Sequence, residues 1–180
     1  MCKQCELIPI YEFTNKRKLC GNCFVKWFEK KFLYAIRKFG MIKRGDLIYI
    51  KRENNFRYVV LLDRLKHFSE KGVIKIVSRK KANKITDADT TDLISDKIIH
   101  EILSGNVKRF KEFSPIDKKT IKPLYLFLDK EVLLYAKLKK LKFKYKNIKQ
   151  DKINLFIENL ESKHPEVKRA VVNSYLELYN

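Results

Sequence analysis

The sequence predicts an α/β chain in which a small N-terminal metal module precedes a parallel sheet flanked by helices. Two observations predict it. All four cysteines fall in the first 23 residues, as Cys2-x2-Cys5 and Cys20-x2-Cys23, the spacing of a tetrathiolate clamp for a tetrahedral ion. Beyond them, short apolar runs bounded by turn residues alternate with stretches whose apolar residues recur every three or four positions, a strand–helix–strand order. At 180 residues the chain has room for one sizeable core plus the module. The expected division is 1–40 for the metal module and its connecting helix, and 41–180 for the α/β part.

Four cysteines leave no position open for a reacting water, so the site is expected to be structural and its ion Zn²⁺. A rubredoxin-like iron site is the main alternative, and paired disulfides a weaker one. Disulfides need an oxidising compartment, and the chain does not start with a charged segment followed by an apolar stretch. Its longest uninterrupted apolar runs, Tyr58 to Leu62 among them, have five residues, far too few for a bilayer. A cytoplasmic protein without membrane attachment is expected. Gly21 is expected to let the second cysteine turn close on the metal.

The elements follow in order. Phe24, Trp27, Phe28, Phe32, Ala35, Ile36 and Phe39 lie at helical steps and predict a helix from Phe24 to about Phe39, packed through one aromatic face. Gly40 ends it as a C′ residue. Lys43-Arg44-Gly45-Asp46 reads as a turn, Leu47–Ile50 as a strand, and Glu53-Asn54-Asn55 as its break. A helix over Tyr58–His67 and a strand over Val73–Val77 complete a βαβ unit with a right-handed crossover. Residues 79–90 read as a polar loop, and 91–104 as a helix capped by Thr91 or Asp92. Ile121–Leu124 is a short extended piece. A helix over 129–138, capped by Asp129, and two closing helices at 151–163 and 166–179 finish the chain.

Charge narrows the function. The chain carries 41 Lys and Arg against 21 Asp and Glu, a net +20, yet 45% of it is hydrophobic, with 12 Phe and 9 Tyr. This is a folded polycation, and its expected partner is a nucleic acid. The densest basic segment supplies Lys137, Lys139, Lys140, Lys142, Lys144, Lys146 and Lys149 as candidate phosphate contacts. From Lys140 to Lys146 lysines alternate with Leu141, Phe143 and Tyr145, the period of an edge strand with a lysine ladder. No ordinary catalytic constellation stands out. His67, His100 and His164 are isolated, Ser95 implies no partner, and Asp87 and Asp89 fall in the expected loop without suggesting a metal site.

The order of these pieces resembles the archaeal and eukaryotic cytosolic tRNA 2-thiolation enzymes, a branch of the PP-loop ATP pyrophosphatases. Leu19-Cys20-Gly21-Asn22-Cys23-Phe24 through Phe28-Glu29 is similar to that family's cysteine-pair zinc ribbon and following helix. Gly45-Asp46 with the next strand, and Val60-Leu61-Leu62, match its passages around the pyrophosphate loop. Leu103-Ser104-Gly105-Asn106 resembles its Leu-Arg-Gly-Asp helix end. Lys122-Pro123-Leu124, Lys130-Glu131-Val132, Tyr135-Ala136 and the segment from Leu155 to Pro165 resemble later passages. The resemblance implies a zinc ribbon followed by a reduced PP-loop sheet.

The departures shape the expected function. Where the family has Ser-Gly-Gly-Lys-Asp-Ser, this chain has Glu53-Asn54-Asn55-Phe56-Arg57-Tyr58. A phosphate cradle needs glycines for close backbone approach, and a lysine and a hydroxyl at the helix start. The family's Asp-Asp pair survives only as Asp92. No cysteine follows Cys23, so the catalytic cysteines and the C-terminal ribbon are missing, and the span before Thr91 is short, as if a strand–helix unit were deleted. ATP chemistry is therefore not expected. The resemblance implies a non-catalytic, tRNA-binding partner of a catalytic PP-loop paralogue, as a heterodimer or a homodimer. The alternatives are a stand-alone zinc-ribbon RNA-binding protein and a residual sulfurtransferase that uses a partner's cysteines.

Overall fold

The computed structural model describes residues 1–105, 107–144 and 152–179. Two cysteine knuckles flank a short antiparallel hairpin, β1 (Tyr11–Glu12) and β2 (Lys18–Leu19), with Tyr11 opposite Leu19. The next helix, α1 (Gly21–Lys38), buries Phe24, Phe28, Phe32, Ala35 and Ile36, the aromatic face that the periodicity predicts. Phe28 stacks on Tyr135 with ring centroids 4.2 Å apart. Gly40 follows at φ +60°, and the Met41 N–H reaches back to the Ile36 carbonyl at 3.0 Å. That closure needs a left-handed residue, which glycine adopts without strain.

The main sheet has five strands: β3 (Asp46–Ile50), β4 (Ile74–Ile76), β5 (Lys84–Thr86), β6 (Ile116–Asp117) and β7 (Thr120–Ile121). They lie in the order β4-β3-β5-β7-β6. All neighbours are parallel except β6 and β7. Register is set by apolar residues, with Ile48 opposite both Ile76 and Lys84 and Ile48, Ile50, Ile74 and Ile121 buried. Five further helices follow the strands: α2 (Phe56–Glu70), α3 (Thr91–Leu103), α4 (Asp129–Leu138), α5 (Lys152–Lys163) and α6 (Val167–Tyr179). The crossovers from β3 to β4 and from β5 to β7 step in opposite directions, so right-handedness puts α2 and α3 on opposite faces. The packing follows suit: α4 lies against α1 and α2, and α3 lies against α5 and α6.

Several expectations need correction. The expected loop at 79–90 contains β5, an inner strand of the sheet. Three residues are too few for a detectable alternation, and the neighbouring lysines and aspartates mask them. Gly21 serves packing rather than the turn: it opens α1 without a left-handed φ, and a Cβ on it would lie 3.3 Å from Leu138 of α4. No ladder runs through Lys140–Lys144. Lys140 is left-handed, at φ +52°, and closes α4, while residues 141–144 are irregular. The rest of that expected strand lies outside the described residues. Asp129 is not the cap of α4. The Leu128 N–H is taken by the Glu131 carboxylate at 3.0 Å, and Asp129 turns elsewhere.

Candidate functional site

The four cysteines converge. Their sulfurs all lie within 4.8 Å of one another, with Cys5 to Cys20 at 3.3 Å and Cys5 to Cys23 at 3.5 Å. Tetrahedral bonds of ~2.3 Å to one ion set thiolates about 3.8 Å apart, so the cage fits a single tetrahedral ion. The backbone is arranged for it as well. Cys20 stands at the start of α1 and Cys23 on its first turn, where N–H groups and the helix dipole favour thiolates. The Cys20 N–H is the largest influence holding Cys2 down to about 6, and the Cys23 N–H lowers Cys20. Cys23, which donates its proton to Cys5, is pushed up to about 12. A bound cation reverses that last shift by taking the proton's place.

The module is bolted to the body through one buried carboxylate. Glu131 accepts from Lys31 of α1 at 2.9 Å, from Arg169 of α6 at 2.7 Å and from the Tyr11 hydroxyl at 3.4 Å. A second node joins α1, α2 and α4: Arg64 donates to Glu29 at 2.8 Å and to the Tyr135 hydroxyl at 3.1 Å.

At the start of α2, residues 53–58 close on themselves. Asn55 Oδ1 accepts from the Tyr58 N–H at 2.9 Å, and its Nδ2 donates to Glu53 at 2.7 Å. Arg57 points inward. Its Nε donates to Asp129 at 2.7 Å, and its guanidinium forks onto the same carboxylate. Thr90 also donates to Asp129, at 2.7 Å. Asp92 is buried, takes the Asp129 N–H at 2.7 Å and pairs with Lys168 at 2.9 Å. One first-turn N–H and the cation nearest it, groups that an incoming phosphate needs at a helix start, are thus already engaged.

Of the basic segment, Lys137, Lys139, Lys140, Lys142 and Lys144 are exposed, while Lys146 and Lys149 lie outside the described residues. Phe143 packs on Phe56, with centroids 6.1 Å apart, and so brings Lys142 and Lys144 beside the start of α2. The structure also gathers residues that sequence reasoning kept apart. A cavity of about 690 Å³ at the C-terminal ends of β3, β5 and β7 is lined by Asp87, Asp89, His100 and Lys122, among others. Its cations are largely neutralised: Lys51 pairs with Asp87 at 3.1 Å and Lys97 with Asp89 at 2.7 Å. Lys122, lowered by burial, donates to the carbonyls of Glu112 and Ser114. The only available signal was two aspartates directly after an undetected strand.

No protein-family model matches the sequence, and no curated protein matches it. Solved structures do. One is described as the U34-tRNA thiolase NcsA from Methanococcus maripaludis with its 4Fe-4S cluster; it matches with a TM-score of 0.78 at 17% identity, over 99% of this chain and 86% of that one. The chain has that fold. The match runs from the cysteine module through the closing helices, so the expected α/β architecture with a mostly parallel sheet holds over its whole length. The metal-binding arrangement of Cys2, Cys5, Cys20 and Cys23 sits within it. Among the described residues, no helix is long and apolar enough to cross a membrane.

Proposed function

We propose that this chain is a non-catalytic, tRNA-binding partner subunit in tRNA wobble-uridine 2-thiolation. The observation that carries the reading is the state of the α2 start within a tRNA-thiolase fold. Asn55 caps that helix, and Arg57 is locked onto Asp129. Glu53 adds a negative charge beside it, and no glycine allows close approach. Such a helix start supports the fold and lacks the glycine cradle, the lysine and the hydroxyl that hold ATP phosphates in a PP-loop. Catalysis then belongs to a PP-loop paralogue with an intact Ser-Gly-Gly-Lys-Asp-Ser loop, paired with this chain as a heterodimer or acting beside a homodimer of it. The cysteine ion in this reading is a single Zn²⁺. Sulfurs within 4.8 Å of one another suit one ion, because a four-iron cubane holds its thiolates on four separate metals.

Co-expression with such a paralogue tests the role. The expected result is a stable complex that thiolates tRNA, in which this chain alone shows no heat of ATP binding by calorimetry. ATP binding and thiolation by the isolated chain would overturn the reading. Failure to form a complex, with tRNA affinity retained, favours the stand-alone RNA-binding alternative.

A further inference from the structure

We infer that the cleft between α2 and the C-terminal ends of β3 and β4 is a single-stranded RNA contact, taking phosphates on Arg52, Lys66 and Arg79 and bases on Tyr49 and Tyr58. The cleft encloses about 700 Å³ and has an aliphatic floor, with Ser78 at its rim. Its charge is one-sided. Three cations line it and no carboxylate does. Arg52, Lys66 and Arg79 are all exposed, and their side chains make no ion pair or hydrogen bond among the described residues. The sheet-end cavity is the contrast, since carboxylates there occupy Lys51 and Lys97.

Unpaired cations around half-buried aromatic rings suit a flexible polyanion with flat apolar groups, which is the chemistry of single-stranded nucleic acid. Tyr49 comes from β3 and Tyr58 from the first turn of α2, where the Asn55 cap fixes the backbone. The rings therefore stand on rigid elements, and the cations come from the strand ends and from α2. The Phe56–Phe143 contact carries Lys142 and Lys144 to the same end of the sheet, which extends the positive surface beyond the cleft. An acidic protein would use the cations but has no need of the rings, and for that reason RNA is the occupant assigned.

The inference rests on the RNA-binding part of the proposed function, and the test separates the two. Binding of unmodified tRNA and of a short single-stranded RNA is measured against salt for the wild type, for an Arg52→Gln/Lys66→Gln/Arg79→Gln variant and for a Tyr49→Ala/Tyr58→Ala variant. Every phosphate that a variant no longer neutralises lowers the salt slope by ~0.7–0.9. The triple variant is expected to lose about two from the slope and about tenfold or more in affinity. The tyrosine variant is expected to lose at least about fivefold with the slope unchanged. An Arg52→Lys/Arg79→Lys variant, which keeps the charge, should retain the wild-type slope. Wild-type tRNA binding left unaltered by the triple variant would overturn the cleft and leave the tRNA-binding role standing. So would loss of paralogue binding with RNA affinity intact. A wild type that binds neither RNA overturns both.

Discussion

Asp96 is a carboxylate held where its charge is unwelcome. Burial is the main cause that raises it to about 6, with Asp92, Asp129 and Glu161 adding to the effect and Lys168 opposing it. Its Oδ1 has no hydrogen-bond partner among the described residues. The consequence for stability has a definite sign. A carboxyl with an ordinary value of 3.8 that rises to about 6 on folding leaves the native state holding a proton that the unfolded chain has released. Stability therefore falls as pH rises through that window. Above it the ionised group remains a standing cost. Asp96→Asn removes that cost, so wild type and variant should unfold alike near about pH 4, and the variant should be the more stable above about pH 6. Urea midpoints across that range check this, and a wild-type advantage near neutral pH would refute it. Glu131 is the opposite case. It is fully buried but paired with Lys31 and Arg169, so its removal would strand two cations rather than relieve one anion.

At the scale of elements, the metal module is a wedge against the body rather than a free appendage. β1 and β2 contribute only two residues each, far too little for independent stability. What holds them is the four-cysteine cage, which could take an ion, on one side and an aromatic cluster on the other. Tyr11 meets Phe13 and Phe24 at centroid distances of 4.8 and 5.0 Å, and Phe13 meets Trp27 at 4.7 Å. Removing the ion, by chelation or by Cys20→Ser, should loosen the hairpin and wet Trp27. The expected outcome is one colourless metal per chain by elemental analysis, and on its loss a red-shifted tryptophan emission with a lower melting temperature. An iron-coloured protein would replace zinc, and an unchanged emission would show that the wedge does not depend on the ion. The module was legible because its ligands are local in sequence, as was α1, whose aromatic and aliphatic positions from Phe24 to its cap Phe39 repeat over about four turns. β5 was not, because a three-residue strand takes its identity from pairing with Ile48 to Ile50 and not from its own pattern. The lysine alternation after Lys140 misled for the converse reason: period two describes a strand only where a neighbour supplies the ladder.

For the whole molecule, the net +20 is distributed by the fold into two kinds of surface. Inside and around the sheet-end cavity, lysines face carboxylates and cancel. In the cleft beside α2 and along residues 137–144 they do not, among the described residues, and this division was invisible in the sequence, because Arg52, Lys66 and Arg79 meet only through the β3–α2–β4 unit. The basic segment after α4 was legible as composition, although its shape was not. Its role is open to a bulk test that needs no knowledge of that shape. Replacing Lys137, Lys139, Lys140, Lys142, Lys144, Lys146 and Lys149 by glutamine removes seven of the positive charges. A segment that tracks phosphates should lose both tRNA affinity and salt dependence, the slope flattening by ~0.7–0.9 for every phosphate the lysines had neutralised. A segment that only keeps neighbouring chains apart should leave the slope as it was and lower solubility instead, as unprotected basic surface gives way to neutral amides. Titrations of tRNA at several salt concentrations, read beside the cleft variant, show whether the two surfaces act on one RNA. If they do, the combined variant should lose the sum of the two slope changes, because ions released from separate phosphates add.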